Sequence, residues 1–139
     1  MIILDTNVLS EFMRPRPSVA VLRWLDVQAR EAVWANSVSL MELRFGVQLV
    51  REPVRRLELD RALTSVMASE LDGRIVPFDS QAAECTARIS AIARQTGKTI
   101  ELRDAMIAGI VECKNATLAT RNIRHFQGTG ITLVDPWTA

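Results

Sequence analysis

The sequence predicts an α/β protein, a three-layer α/β/α sandwich around a central parallel sheet, and two observations carry that expectation. Short apolar runs alternate with longer stretches of helical periodicity along the whole chain. The apolar runs are also hydrophobic at nearly every position instead of every second one, as expected of strands covered on both faces.

Taken in order, Ile2–Leu4 reads as a short buried strand. Asn7 to Met13 follows as a helix with Val8, Leu9 and Phe12 on its apolar side, and Pro15 and Pro17 stop it. Ser18 is placed to cap a second helix carrying Val19, Leu22 and Leu25. Ala32–Asn36 is the second strand. Ser39 then opens a helix to about Val50 with Leu40, Leu43 and Val47 at helical spacing. Pro53 suits the first turn of a helix that runs to Leu71, with Leu59, Leu63, Val66 and Met67 inward, and Asp72-Gly73 breaks it. Arg74–Phe78 is the third strand, and Ser80 to Thr96 a helix ended by Gly97. A helix from Leu102 to Lys114 stops at Asn115, and Thr117–Thr120 and Ile131–Asp135 are the last strands. A chain of 139 residues with no repeat, linker or low-complexity tract is expected to form one domain over residues 1–139.

Composition narrows the function. Cys85 and Cys113 form no CxxC, which argues against a disulfide framework or zinc knuckle and fits a reducing cytoplasm. No secretory signal and no membrane-length apolar run is visible, so no membrane partner is expected. His125 is the single histidine, which excludes a paired-histidine ribonuclease and a metal site of several imidazoles. Of 17 basic residues only Lys98 and Lys114 are lysines; arginine suits phosphate recognition, although a GC-rich genome gives the same bias.

The residues that carry chemistry stand at strand ends. In an open parallel sheet, ligands bind beyond the carboxyl ends of the strands, where the topology reverses. Asp5 ends the first strand, Glu42 and Asp104 lie in the first turns of their helices, and Asn122 follows the fourth strand. Each also has a purely structural reading. Asp5 could cap the helix at Asn7, Glu42 completes a capping box with Ser39, Asp104 suits a helix dipole, and Asn122 suits a turn. What favours function is the constellation, because four separate caps need not converge on one edge. Three converging carboxylates need a balancing charge, and hard oxygen donors without imidazole or thiolate suit Mg²⁺ or Mn²⁺. Such an ion activates water for in-line attack on a phosphodiester.

The successive motifs LDTNVLSE, SLMELRFGV, RDAMIAGIV and LATRNIRHF resemble the signatures of PIN-domain nucleases, most closely the small bacterial toxins of VapC or FitB type. The likeness covers essentially the whole chain. It implies a metal-dependent ribonuclease toxin, homodimeric, and neutralised by a cognate antitoxin whose C-terminal segment blocks the acidic site. By the same resemblance Asp5, Glu42 and Asp104 take the acidic, metal-holding positions, with Thr6, Asn7 and Thr120 in support. Where the family's last motif usually carries an acid, this chain has Asn122, which implies one metal held firmly by Asp5 and Asp104 and a second held weakly. Glu101 is a lesser candidate for the missing charge. Arg103, Arg121 and Arg124 are candidate contacts to RNA phosphates, and His125 reads as structural.

The expected function is therefore cleavage of single-stranded or looped RNA. One rival keeps the fold and makes the chain a weakly catalytic or inert partner in an antitoxin complex on operator DNA, reached only through the antitoxin. A phospho-accepting receiver-like domain is a second rival, disfavoured because neither Lys98 nor Lys114 ends a predicted strand.

Overall fold

Apolar residues at every position of a strand demand cover on both faces, and the chain meets that demand. The computed structural model describes residues 1–139. Five strands, β1 (Ile2–Leu4), β2 (Val33–Asn36), β3 (Ile75–Val76), β4 (Thr117–Ala119) and β5 (Thr132–Val134), form one sheet in the order β3-β2-β1-β4-β5. All four pairings are parallel. The helices are α1 (Thr6–Glu11), α2 (Val19–Asp26), α3 (Ser37–Gln48), α4 (Pro53–Ser65), α5 (Ser80–Gln95), α6 (Leu102–Cys113) and α7 (Ile123–Phe126). No helix is long and apolar enough to cross a membrane.

Neighbouring strand residues feed opposite cores, which is the α/β/α sandwich expected from the sequence. Ile3, Val76 and Leu118 pack with α5, α6 and Phe126 on one face of the sheet. Leu4, Val33, Ala35 and Ala119 pack with α1, α2 and α4 on the other. Strand order rises from β1 to β3 on one side and from β4 to β5 on the other, so the topology reverses between β1 and β4. The crevice beyond their carboxyl ends is where a site belongs.

Several boundaries differ from the sequence reading, each for a local reason. The first helix starts at Thr6, one residue early, because Asp5 caps it in extended conformation. Ser18 stands at the start of α2 but its hydroxyl caps nothing; its backbone N–H donates to the buried Glu11 carboxylate at 2.9 Å. Glu11 also accepts from Arg14 at 3.0 Å, so this acid inside the core is satisfied and ties down the proline-rich turn. The long helix after Pro53 is two pieces: α4 ends at Ser65 and a π-helical segment, Val66–Glu70, continues it. Val66, Met67 and Leu71 remain buried across the change. The third strand shrinks to two residues, and α7 had no counterpart among the expected elements.

The tightest helix contact lies between α5 and α6, where Gly109 faces Ala82 and Thr86. A methyl group on Gly109 would stand 2.7 Å from the Ala82 carbonyl oxygen and would collide with Thr86 Oγ1. Both helices meet backbone to backbone there, and this seats α6, the helix that carries Asp104. Gly109→Ala is expected to destabilise the protein by about 1–3 kcal/mol through overpacking. Chemical denaturation should show a lower midpoint with an unchanged m-value; an unchanged midpoint would show that the helices part freely.

Candidate active site

Asp5 is the site's most constrained residue. Its backbone N–H donates to the Ala119 carbonyl at 2.9 Å, which continues the β1–β4 ladder by one residue. The carboxylate is 4% exposed and accepts on both oxygens. Oδ1 accepts from the Thr6 N–H at 2.8 Å, the cap of α1, and Oδ2 accepts from Thr120 Oγ1 at 2.6 Å and Asn7 Nδ2 at 3.3 Å. Thr120 is wholly buried, and its hydroxyl oxygen also accepts from the Asn122 N–H at 3.0 Å. Oδ1 thus caps α1, while Oδ2 takes the contacts from Thr120 and Asn7.

Glu42 is placed by a different cap from the one the sequence suggested. The third helix begins at Ser37, and the fully buried Asn36 caps it by accepting from the Ser39 N–H at 2.8 Å. Asn36 Nδ2 donates to the Leu4 carbonyl and to Ser39 Oγ, each at 3.0 Å, and Thr6 Oγ1 donates to Ser39 Oγ at 2.9 Å. Ser39 is therefore a link between β1, α1 and α3 and not a cap, so the Ser39–Glu42 capping box does not form. Glu42 falls in the second turn of α3, with its carboxylate released from any backbone duty.

Asp104 does lie in the first turn of α6, and His125 Nδ1 stands 3.4 Å from its Oδ2. Asn122 precedes α7 but its side chain caps nothing. Asp5, Glu42, Asp104 and Asn122 line one pocket of about 240 Å³ together with Thr6, Asn7 and Ser10, and no apolar side chain borders it. Ser10 was not singled out from the sequence; it stands three residues after Asn7 on the same helix face, which was the available signal.

Burial raises the proton affinity of all three carboxylates, and neighbouring acids add to it at Glu42 and Asp104. Burial pushes the Asp5 carboxyl up, opposed by the Thr120 and Thr6 hydrogen bonds, the His125 charge and Asn7. Burial likewise raises Glu42, opposed by Arg103 and reinforced by Asp5 and Asp104. Asp104 is raised by burial and by Asp5, against the His125 charge. No three of the chain's His, Cys, Asp and Glu side chains enclose a point closely enough to hold an ion unaided. Asp5, Glu42 and Asp104 could instead hold one from the pocket wall with water completing its shell.

The surrounding cations have diverse partners. Arg103 bonds Glu101 at 2.6 Å and stands 3.9 Å from Glu42. Glu101 borders a neighbouring cavity and not the acidic pocket. Arg121 stacks over Trp137, 4.9 Å from the ring centre, while its backbone N–H donates to Asn7 Oδ1 at 3.2 Å. Arg124 lines the same neighbouring cavity as Glu101.

Comparison with known proteins places this geometry among relatives. The PIN domain family model matches residues 2–130. A VapC ribonuclease of Sinorhizobium fredii is 35% identical, covering 99% of this chain and 98% of that protein. Toxin FitB of Neisseria gonorrhoeae is 36% identical, with 99% of each chain covered. The crystal structure of FitAcB from Neisseria gonorrhoeae superposes with a TM-score of 0.91 at 35% identity over 100% of both chains. A structure of FitAB bound to a DNA fragment does so at 0.88 and 34% identity, over 99% of this chain and 96% of that one.

The burial of Asp104, reinforced by Asp5 and Glu101, makes a pH prediction. Asp104 binds its proton more tightly folded than unfolded, so its charge costs stability once the pH rises through its folded value. In EDTA at neutral pH, Asp104→Asn is expected to melt above the parent protein. The gain should shrink as the pH falls and vanish below about 3.8, the ordinary aspartate value, where both states are protonated. Asp5→Asn is a poorer probe, because an amide nitrogen would meet either the Thr6 N–H or the Thr120 hydroxyl. A pH-independent difference at Asp104 would mean that its charge is not strained.

Proposed function

The chain belongs to the PIN-domain family, and on that premise we propose that it is a Mg²⁺- or Mn²⁺-dependent endoribonuclease acting as the toxin of a toxin–antitoxin pair. The observation that carries this reading is the single polar pocket in which Asp5, Glu42, Asp104 and Asn122 meet. Hard oxygen donors without thiolate suit an ion that keeps much of its water and needs only one or two direct carboxylates. When bound, such an ion acidifies water into a nucleophile and screens a phosphate's charge.

The chain's own residues then have distinct tasks. Thr120, Thr6 and Asn7 fix both Asp5 oxygens, so the carboxylate presents its remaining lone pairs in one orientation. Glu42, freed from capping, lines the same pocket and would accept a proton there. Asp104 shares the pocket with Asp5, and His125 Nδ1 stands 3.4 Å from its Oδ2. Asn122 supplies a neutral oxygen where an acid would add charge, which weakens the hold on a second ion. Arg103 beside Glu42, Arg121 beside Asn7 and Arg124 in the neighbouring cavity serve as contacts for substrate phosphates, Arg124 being the least engaged.

Partners follow from the surface. Met41, Phe45 and Leu49 recur every four residues along α3 and are 51%, 59% and 64% exposed, an apolar stripe suited to a protein partner. We assign it to the antitoxin or to the second subunit of a homodimer, and place the assembly in the cytoplasm with its RNA. The rival reading, a weakly catalytic or inert partner in a DNA-bound antitoxin complex, draws its DNA-binding half from the likeness to FitAB bound to DNA.

Cleavage of a single-stranded RNA panel with magnesium, manganese or EDTA separates the two readings. Metal-dependent cleavage is expected, and an inert protein that binds operator DNA with its partner supports the rival. Glu42→Gln should lower the cleavage rate about 100-fold or more, the scale of a lost catalytic proton acceptor, with no fall in melting temperature. A large fall would return Glu42 to a structural role. Magnesium should raise the melting temperature of the parent protein but not of Asp104→Asn. Asn122→Asp is expected to tighten magnesium binding and speed cleavage; if both stay the same, the weak second ion is wrong.

A further inference from the structure

Beside the acidic pocket lies a cavity of about 600 Å³, more than twice its volume, and Asp104 borders both. The cavity runs between the end of α5, the turn at Lys98–Glu101, and the α7–β5 loop. Its rim carries Lys98, Arg124 and His125. His125 is occupied by Asp104, and Glu101 by Arg103, whereas neither Lys98 nor Arg124 has a carboxylate within ion-pair distance. Lys98 is one of only two lysines in the chain. Gly128 makes room for it: the backbone there has φ +85°, and a methyl group would stand 2.7 Å from Lys98 Nζ. Opposite the charges, Ile89, Ala93 and Ile100 provide the cavity's apolar side.

Resting on the nuclease reading, the geometry points to this cavity as the subsite for the nucleotide that flanks the scissile bond on the Asp104 side. Its phosphate sits between Lys98 and Arg124, and its base lies against Ile100 and Ala93. The cavity has room for an unstacked nucleotide and is lined by α5 and the Gly128 loop, so a single strand enters it more readily than a stacked duplex. The acidic pocket alone cannot attract RNA, since three carboxylates repel it. Two unpaired cations beside it supply the attraction that brings the strand to the acids.

The test uses fluorescence anisotropy of a labelled single-stranded oligoribonucleotide in EDTA, so that binding is read without cleavage. Lys98→Gln and Arg124→Gln should each weaken binding about tenfold, the loss of one charge-assisted contact. Each should also flatten the dependence of log affinity on log salt by about 0.7. Lys114→Gln removes the same charge from the far end of α6 and should change neither quantity. A duplex of the same sequence should bind the parent protein much more weakly. RNA binding with the expected losses but without cleavage in magnesium would reject the nuclease reading and keep the cavity as a nucleotide-binding site. Affinity and salt slope equal to the parent in both variants, or equal losses in Lys114→Gln, would overturn the subsite even if the protein cleaves RNA.

Discussion

The site rests on one buried hydrogen bond, from the Thr120 hydroxyl to Asp5 Oδ2 at 2.6 Å. It spans the crevice between β1 and β4, the point where the sheet's order reverses, and joins residues 115 positions apart in sequence. A carboxylate that is 4% exposed survives at the edge of a core because both of its oxygens accept hydrogen bonds. The same hydroxyl accepts from the Asn122 N–H, so the turn after β4 is set by the residue that fixes Asp5. Strand pairing, turn geometry and carboxylate orientation are thereby one constraint.

A second buried amide does for β2 what Thr120 does for β4. Asn36 ends β2, caps α3 and donates to the Leu4 carbonyl of β1. Through Ser39 and Thr6 that link reaches α1. The outcome is a rigid frame of polar side chains under the pocket, in which Glu42 is carried one turn further along its helix than a capping box would place it. A helix start is contested among nearby polar residues, and Asn36 wins because it alone also satisfies a carbonyl on the neighbouring strand.

Electrostatics and packing oppose each other at this edge. Burial raises the proton affinity of Asp5, Glu42 and Asp104, and at Glu42 and Asp104 nearby acids add to it, so the charged pocket costs stability in the metal-free chain. The packing that maintains it lies elsewhere: two apolar cores, one on each face of the sheet, and the close α5–α6 contact at Gly109 that seats Asp104. Stability from the cores thus holds a site that is unfavourable on its own, a common division of labour between scaffold and site.

Local chemistry settled much of this protein from the sequence. The unbroken apolar character of Ile2–Leu4 and Leu118–Ala119 requires a sheet covered on both sides. Pro53, Gly97 and Asn115 mark helix ends because ring closure or a left-handed backbone leaves little choice at those positions. Asp5, Glu42, Asp104 and Asn122 could be nominated from their places after strands. Other features had no local signal. Four residues are too few for Ile123–Phe126 to show a period, and the π-helical segment keeps Val66 and Met67 inward just as an α-helix would. Only tertiary structure decided that Asn36 and not Ser39 caps α3, that Glu101 is taken up by Arg103, and that His125 meets Asp104. Each of these is a competition among several possible partners, and distance in three dimensions, absent from a one-dimensional pattern, picks the winner.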